Sequence, residues 1–254
     1  MTFGLVVVQF AVVVVGVLLA WFMGRWKLGF TWASLGWGTL AFPLSQVARM
    51  ALVVPLQLVF SRVMDPATAA TATVILMVAT SGLFEETTRW IVLRYWAKNT
   101  RSWHDGVGFG LGHGGIEALL LFASALATNI MLLTNGEMLR MQVAQTGDAT
   151  AIDAFDQQMD ALQNMGLGLL AAGWYERVLA ITAHVVFTLI VLRAVRERRW
   201  QLWLLAVTAH IVFNAVTVIS APYGLGVMYA LLTAFTAVGL WAVMAGPLKK
   251  EALA

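Results

Sequence analysis

Long apolar stretches separated by short polar breaks set the pattern of this chain. They cover about residues 3–23, 30–60, 67–94, 106–133, 167–191, 200–220 and 225–244. Each reaches or exceeds the ~20 residues that a helix needs to cross a hydrocarbon core. The pattern predicts about seven transmembrane spans in an all-α, polytopic helix bundle. Pro43 and Pro55 fall inside the second stretch and predict a kinked or long and tilted span. Ala221-Pro222-Tyr223-Gly224 predicts a tight turn before the last span. Between residues 134 and 166 the periodicity changes. Ile152, Phe155, Met159 and Leu162 recur at helical spacing there, so a short amphipathic helix is expected, lying on the outer interface or capping the bundle. A plain connector packed on lipid is the simpler expectation for the same segment.

Basic residues follow alternate spans: Arg25 and Lys27, then Arg94, Lys98 and Arg101, then Arg193, Arg196, Arg198 and Arg199, then Lys249 and Lys250. The positive-inside rule makes those ends cytoplasmic, with the N-terminus outside and the C-terminus inside. The 134–166 loop agrees, since Glu137, Asp148, Asp153, Asp156 and Asp160 face a lone Arg140. The first span has no basic residue before it and two after it, the reverse of a secretory signal peptide, and is expected to stay uncleaved. Trp26, Trp103 and Trp200 sit near span ends as interfacial anchors.

The chain is 60% hydrophobic and 11% charged, which excludes an ordinary soluble domain, where about a quarter of residues are charged. A single membrane domain, 1–254, accounts for that composition. The formal charge of +3 is spread over loops and gives no footprint for nucleic acid; the partners expected are lipid and a membrane substrate. Cysteine is absent, so a metal would need nitrogen and oxygen ligands.

Against that background the ionisable residues inside the spans stand out. Glu85, Glu86 and Arg89 lie in the third span, His113 and Glu117 in the fourth, Glu176, Arg177 and His184 in the fifth, and His210 and Asn214 in the sixth. A charge at the bilayer centre costs about 2.5–3.5 kcal/mol on insertion scales, so such residues are paired, hydrated or functional. Glu85 lies nine residues before Arg94, His113 twelve after Arg101, His184 nine before Arg193 and His210 eleven after Arg199. At the helical rise these counts place all four ~13–18 Å inside the basic boundary. Glu117, Arg177 and Asn214 fall about one turn further out, where a Glu117–Arg177 ion pair is expected. His113 with Glu117, and His210 with Asn214, are i,i+4 pairs and share a face. So do Glu85 and Arg89, a pairing that would leave Glu86 the freer carboxylate.

The chemistry suited to this set is water activation. Imidazoles and a carboxylate hold a metal or orient a water directly, a second carboxylate acts as general base, and an amide such as Asn214 stabilises an oxyanion. Plainer roles stand beside it. A single membrane histidine is more often an interhelical hydrogen bond, Arg89 more often a counter-ion, and Glu176 a packing contact. A proton- or metal-coupled transporter would use similar residues but would favour paired broken helices, of which the sequence gives no sign. A non-catalytic scaffold is the third reading. Gly106, Gly108, Gly110, Gly112, Gly114 and Gly115 crowd the start of the fourth span, either for close helix packing or to leave room beside His113.

Four stretches of the sequence resemble the YhfC family of intramembrane metalloproteases, related to the CAAX-processing and bacteriocin-processing proteases and the PrsW group. They are Phe84-Glu85-Glu86-Thr87-Thr88-Arg89, residues 110–118 around His113, Glu176-Arg177 with His184, and His210-Ile211-Val212-Phe213-Asn214. The resemblance implies hydrolysis of peptide bonds in or near a bacterial cytoplasmic membrane, on membrane-embedded or lipidated substrates. A glutamate, Glu85 or Glu86, would activate water. His113, His184 and His210 would ligate a divalent metal, zinc first, or assist directly, with Asn214 beside them and Arg89, Glu117 and Arg177 in support. CAAX-type proteases place three residues between the double glutamate and the arginine, whereas Thr87 and Thr88 alone intervene here.

Overall fold

A computed structural model describes residues 2–247, so Lys249 and Lys250 lie outside the described residues. Eight α-helices follow one another: α1 Thr2–Leu28, α2 Trp32–Val63, α3 Pro66–Ile91, α4 Trp103–Gln145, α5 Ala149–Gln163, α6 Leu167–Glu197, α7 Trp200–Ser220 and α8 Leu225–Met244. No strand occurs among the described residues. All but α5 are long and apolar enough to cross a membrane, seven in total among the described residues. The protein is an integral membrane protein of the all-α class.

Local chemistry sets the helix ends. Thr31 caps α2 by accepting from the Ser34 amide, and its own backbone and hydroxyl both donate to Asp105 at 2.9 Å, tying the start of α2 to α4. Asp65 caps α3 ahead of Pro66, whose missing amide costs nothing in the first turn. After α3 the chain widens into a π-helical turn, Val92–Trp96, in which the Ala97 amide donates to the Val92 carbonyl. The turn expected at residues 221–224 is present as a short 3-10 turn, Ala221–Tyr223, closed by Gly224 at φ +96°. Pro43 and Pro55 both lie inside α2, which continues through them.

The fourth span runs further than the sequence pattern suggests. Helix α4 reaches Gln145, broken at Asn135 alone (φ −128°, ψ 16°), where Asn-Gly reads as a turn in sequence. The amphipathic helix expected in the 134–166 segment is α5, capped by Asp148.

The chain divides into two compact units. Met1–Leu19 and Glu117–Arg177 make the first. In it Leu162 of α5 is buried against Val6 and Leu132, with Phe155, Met159 and Leu139 around them, so the apolar face of α5 meets protein. Arg140 donates to both oxygens of Asp156 at 2.7 Å and joins α4 to α5 on the exposed side. That interaction holds the Asp156 carboxyl below the usual carboxylate range.

Ala20–Ile116 and Val178–Ala254 make the second unit. Its axis is α6, whose apolar window is 78% buried where those of the other spans are 11–28% buried. Phe187, Leu189, Val191 and Leu192 lie at its centre. Neighbouring helices meet α4 backbone to backbone. A Cβ on Gly112 would stand 2.1 Å from the Leu35 carbonyl oxygen of α2, and one on Gly114 would stand 2.9 Å from the Ile181 Cα of α6. The crowded glycines at the start of α4 therefore serve close packing: backbone fills the space beside Gly110, Gly112 and Gly114, and side chains fill it beside Gly106, Gly108 and Gly115.

Candidate active site

Within the second unit, α3, α4, α6 and α7 bring Glu85, Glu86, Arg89, His113, His184 and His210 together out of contact with solvent or lipid. Glu86, Arg89 and His113 are 0% exposed, and the other three are 3–4% exposed. Backbone contact fixes this arrangement. Gly114, next to His113, lets α4 approach α6 so closely that a Cβ there would lie 3.2 Å from His184 Cβ, and Gly82 lets α3 reach the Val207 carbonyl of α7. The three imidazoles form a chain, with ring centroids 4.9 Å apart for His113 and His184 and 5.2 Å for His184 and His210.

The two glutamates are held differently. Arg89 Nη1 donates to both oxygens of Glu86 at 2.6 Å, and Arg89 Nη2 lies 3.1 Å from His184 Nδ1. Arg89 thus pairs with the i−3 carboxylate rather than the i−4 one, and Glu86 is not the freer of the two. Because a carboxylate that accepts a guanidinium at both oxygens is anionic and acceptor-only, the 2.8 Å contact from His210 Nδ1 to Glu86 Oε1 has the imidazole donating. The lone pair of neutral His210 then resides on Nε2. Glu85 instead meets amides and imidazoles: its Oε1 accepts from Gln46 Nε2 at 3.1 Å, its Oε2 lies 3.1 Å from His113 Nε2, and His210 Nε2 stands 3.9 Å from the same oxygen.

Behind Glu85 lies a group that the sequence reading did not single out. Arg49 of α2 is buried, donating from Nη1 to Gln46 Oε1 at 3.1 Å, from Nε to Thr80 Oγ1 at 3.1 Å and from Nη2 to the Met77 carbonyl at 2.6 Å. The signal was available: Ser45, Gln46 and Arg49 interrupt an otherwise apolar span at helical spacing.

Asn214 Nδ2 donates to Ser81 Oγ at 2.7 Å and makes none of the hydrogen bonds that join the glutamates to the histidines. Glu117, Glu176 and Arg177 belong to the first unit. Arg177 Nη1 is 3.7 Å from Glu117 Oε1, as the spacing predicts, and Arg177 also pairs with its neighbour Glu176.

A metal ion has suitable donors here. Glu86, His184 and His210 each offer a ligand atom within 4.8 Å of the others, and Glu85, His113 and His184 do the same. Carboxylate and imidazole form the donor set of catalytic zinc sites. His113 Nδ1 is buried without a hydrogen-bond partner, an orphaned polar atom that also fits a site built around an absent group.

Comparison with known proteins settles the family. The model of the YhfC intramembrane metalloprotease family matches residues 10–235. The chain belongs to that family. All six buried site residues of this YhfC-family chain fall inside the match. A relative from Bacillus subtilis (strain 168), described as uncharacterized membrane protein YhfC, is 29% identical over 131 residues, 47% of this chain and 46% of the relative. The matched stretch thus spans about half the length of that curated YhfC protein. No solved structure matches the chain.

Proposed function

We propose that this chain is an intramembrane endopeptidase cleaving peptide bonds of membrane-embedded or lipidated substrates, and that it resides in a bacterial cytoplasmic membrane. Helix α1 would begin on the outer side, with the basic loops in the cytoplasm. The carrying observation is the convergence on Glu85 Oε2 of His113 Nε2 at 3.1 Å and His210 Nε2 at 3.9 Å, in a buried cluster of a chain whose family is described as metalloproteases.

Glu85 is the base in this reading. Its Oε1 is anchored by Gln46, which leaves Oε2 to take a proton from a water held against His113 and His210. The hydroxide oxygen bonds to the substrate carbonyl carbon, the C–N bond breaks, and the proton held between Glu85 and His113 passes to the leaving amine. Glu86 and Arg89 orient His210 from behind, as a carboxylate orients a histidine in other hydrolytic sites. His113 and His210 would supply imidazole ligands to a divalent ion, with zinc the best match, while Glu85 stays the base. Such an ion would make the bound water more acidic and polarise the carbonyl. Asn214 and the Glu117–Arg177 pair have supporting roles.

The test uses the full chain in nanodiscs with single-span peptides, reading new termini by mass spectrometry. Cleavage by the wild type and a loss of about 100-fold or more in Glu85→Gln are expected. Equal cleavage by both proteins rejects the assignment.

A further inference from the structure

His184 is the one residue common to both donor sets that could surround an ion. Its Nδ1 lies 3.1 Å from Arg89 Nη2, and both groups are buried, His184 at 4% exposure and Arg89 at 0%. A guanidinium has N–H donors and no acceptor, and it keeps its proton in proteins, so the nitrogen facing it must supply the lone pair. Arg89 is itself fixed, because its other terminal nitrogen donates to both oxygens of Glu86. A neutral imidazole with its lone pair on Nδ1 carries its proton on Nε2.

We infer that Arg89 caps His184 at Nδ1, so that His184 enters the pocket as a fixed Nε2–H donor to oxygen and not as a metal ligand. Neither ring nitrogen then has a lone pair to give to a cation. The capped ring has the opposite tautomer from His210, whose Nδ1 donates to Glu86 and whose Nε2 carries the lone pair. One arginine and one glutamate, a single turn apart on α3, thus set two adjacent imidazoles to opposite tasks: His210 accepts and His184 donates. The oxygen that suits an N–H donor in this place is that of the attacking water or of the substrate carbonyl, on which negative charge develops during hydrolysis. Arg89 acts through His184 and is a positioning residue. The tautomer follows from the hydrogen bonds alone, whereas the role toward substrate oxygen rests on the hydrolase reading above.

The experiment is nitrogen-15 NMR of the histidine-labelled full chain in nanodiscs. The chain has four histidines, and His104→Gln, His184→Gln and His210→Gln assign the signals by their loss. The expected result is an unprotonated Nδ1 and a protonated Nε2 for His184, with the reverse for His210. Zinc is then added as a probe, with bound zinc counted by elemental analysis. His210 and His113 signals should move while those of His184 stay, and His184→Gln should keep zinc affinity within about twofold while His210→Gln loses tenfold or more. A protonated Nδ1 on His184, or His184 signals displaced by zinc as far as those of His210, overturns the inference. If His184→Gln does not fold, His113→Gln takes its place, and elimination with His104→Gln and His210→Gln still assigns the wild-type signals. A chain that binds no zinc removes the metal from the proposed function, and the tautomer of His184 is then decided on the zinc-free spectrum. In the cleavage assay His184→Gln, which retains an N–H donor, should keep at least tenfold more turnover than His184→Ala at equal KM. Failure of that arm alone, with the tautomer as expected, strikes the hydrolase reading rather than the capping.

Discussion

Glu86 and Arg89 sit one turn apart on α3, and a single guanidinium nitrogen donates to both carboxylate oxygens at 2.6 Å with neither side chain exposed. The adjacent Glu85 accepts from the neutral amide of Gln46 and lies 3.1 Å from His113 Nε2. Two consecutive glutamates are therefore set apart by their partners, one neutralised in place and one left as an acceptor toward imidazoles.

The first prediction follows from that difference. Glu86→Gln strands a buried arginine and should cost about 3–5 kcal/mol of stability, the usual penalty for removing one member of a buried pair. Glu85→Gln keeps the shape and the acceptor for Gln46 and should cost about 1 kcal/mol while removing cleavage. Thermal unfolding in detergent beside turnover checks both. A Glu85→Gln protein that unfolds as readily as Glu86→Gln would contradict the division of roles.

A second prediction concerns the relay behind Glu85. Gln46→Leu should lower turnover about 10–100-fold with little change in KM, as loss of an orienting partner usually does. Arg49→Met should do less, and its effect on turnover should shrink in the Gln46→Leu background, because Arg49 donates to the Gln46 amide that holds Glu85. Additive losses in the double variant would mean that the two residues act independently.

Packing of α4 gives a third. Gly112→Ala drives a methyl to 2.1 Å from the Leu35 carbonyl oxygen and should destabilise by about 1–3 kcal/mol, since backbone must move. Gly36→Ala on the exposed side of α2 meets nothing within 4 Å and should be neutral or stabilising by up to about 1 kcal/mol. Unfolding midpoints of the two variants should move in opposite directions or differ by several degrees.

Acid should loosen α5. The Asp156 carboxyl titrates below its ordinary value because Arg140 donates to it, so its contribution is complete above the unfolded Asp value of about 3.9 and is lost as pH falls through the lower folded value. Spin labels on α4 and α5 should report a narrow distance at neutral pH and a broader one below about pH 4. Asp156→Asn should be broad at neutral pH already, and a narrow distance in that variant would show that the contact does not hold α5.

Much of this was legible in the sequence, because lipid punishes polar residues and so makes each one informative. The spans, the gathering of Glu85, Glu86, His113, His184 and His210 at one depth, and the Glu117–Arg177 pair all follow from composition contrast and helical rise. Partner choice does not. Glu85 and Glu86 stand four and three residues before Arg89, both within reach on the same face, and the selection is made by side-chain packing from α6 and α7. Gln46 and Arg49 escaped notice since α2 bears no histidine or carboxylate at that level, although a buried arginine in an apolar span was signal enough. The Asn-Gly pair at 135–136 reads as a loop, yet the backbone departs from helix at one residue and resumes.

Helix α6 passes through the centre of the second unit with Ile181 pressed on Gly114 and His184 one turn later in the cluster. Each residue of a helix turns by about 100°, so inserting or deleting a single residue between those two points would swing the imidazole to another side of the rod. Thr182, only half-buried between them, can vary in size and chemistry, whereas Ala183 is buried and the length of the stretch cannot change. Tolerance to substitution and intolerance to frame-preserving indels should therefore coexist within one helical turn.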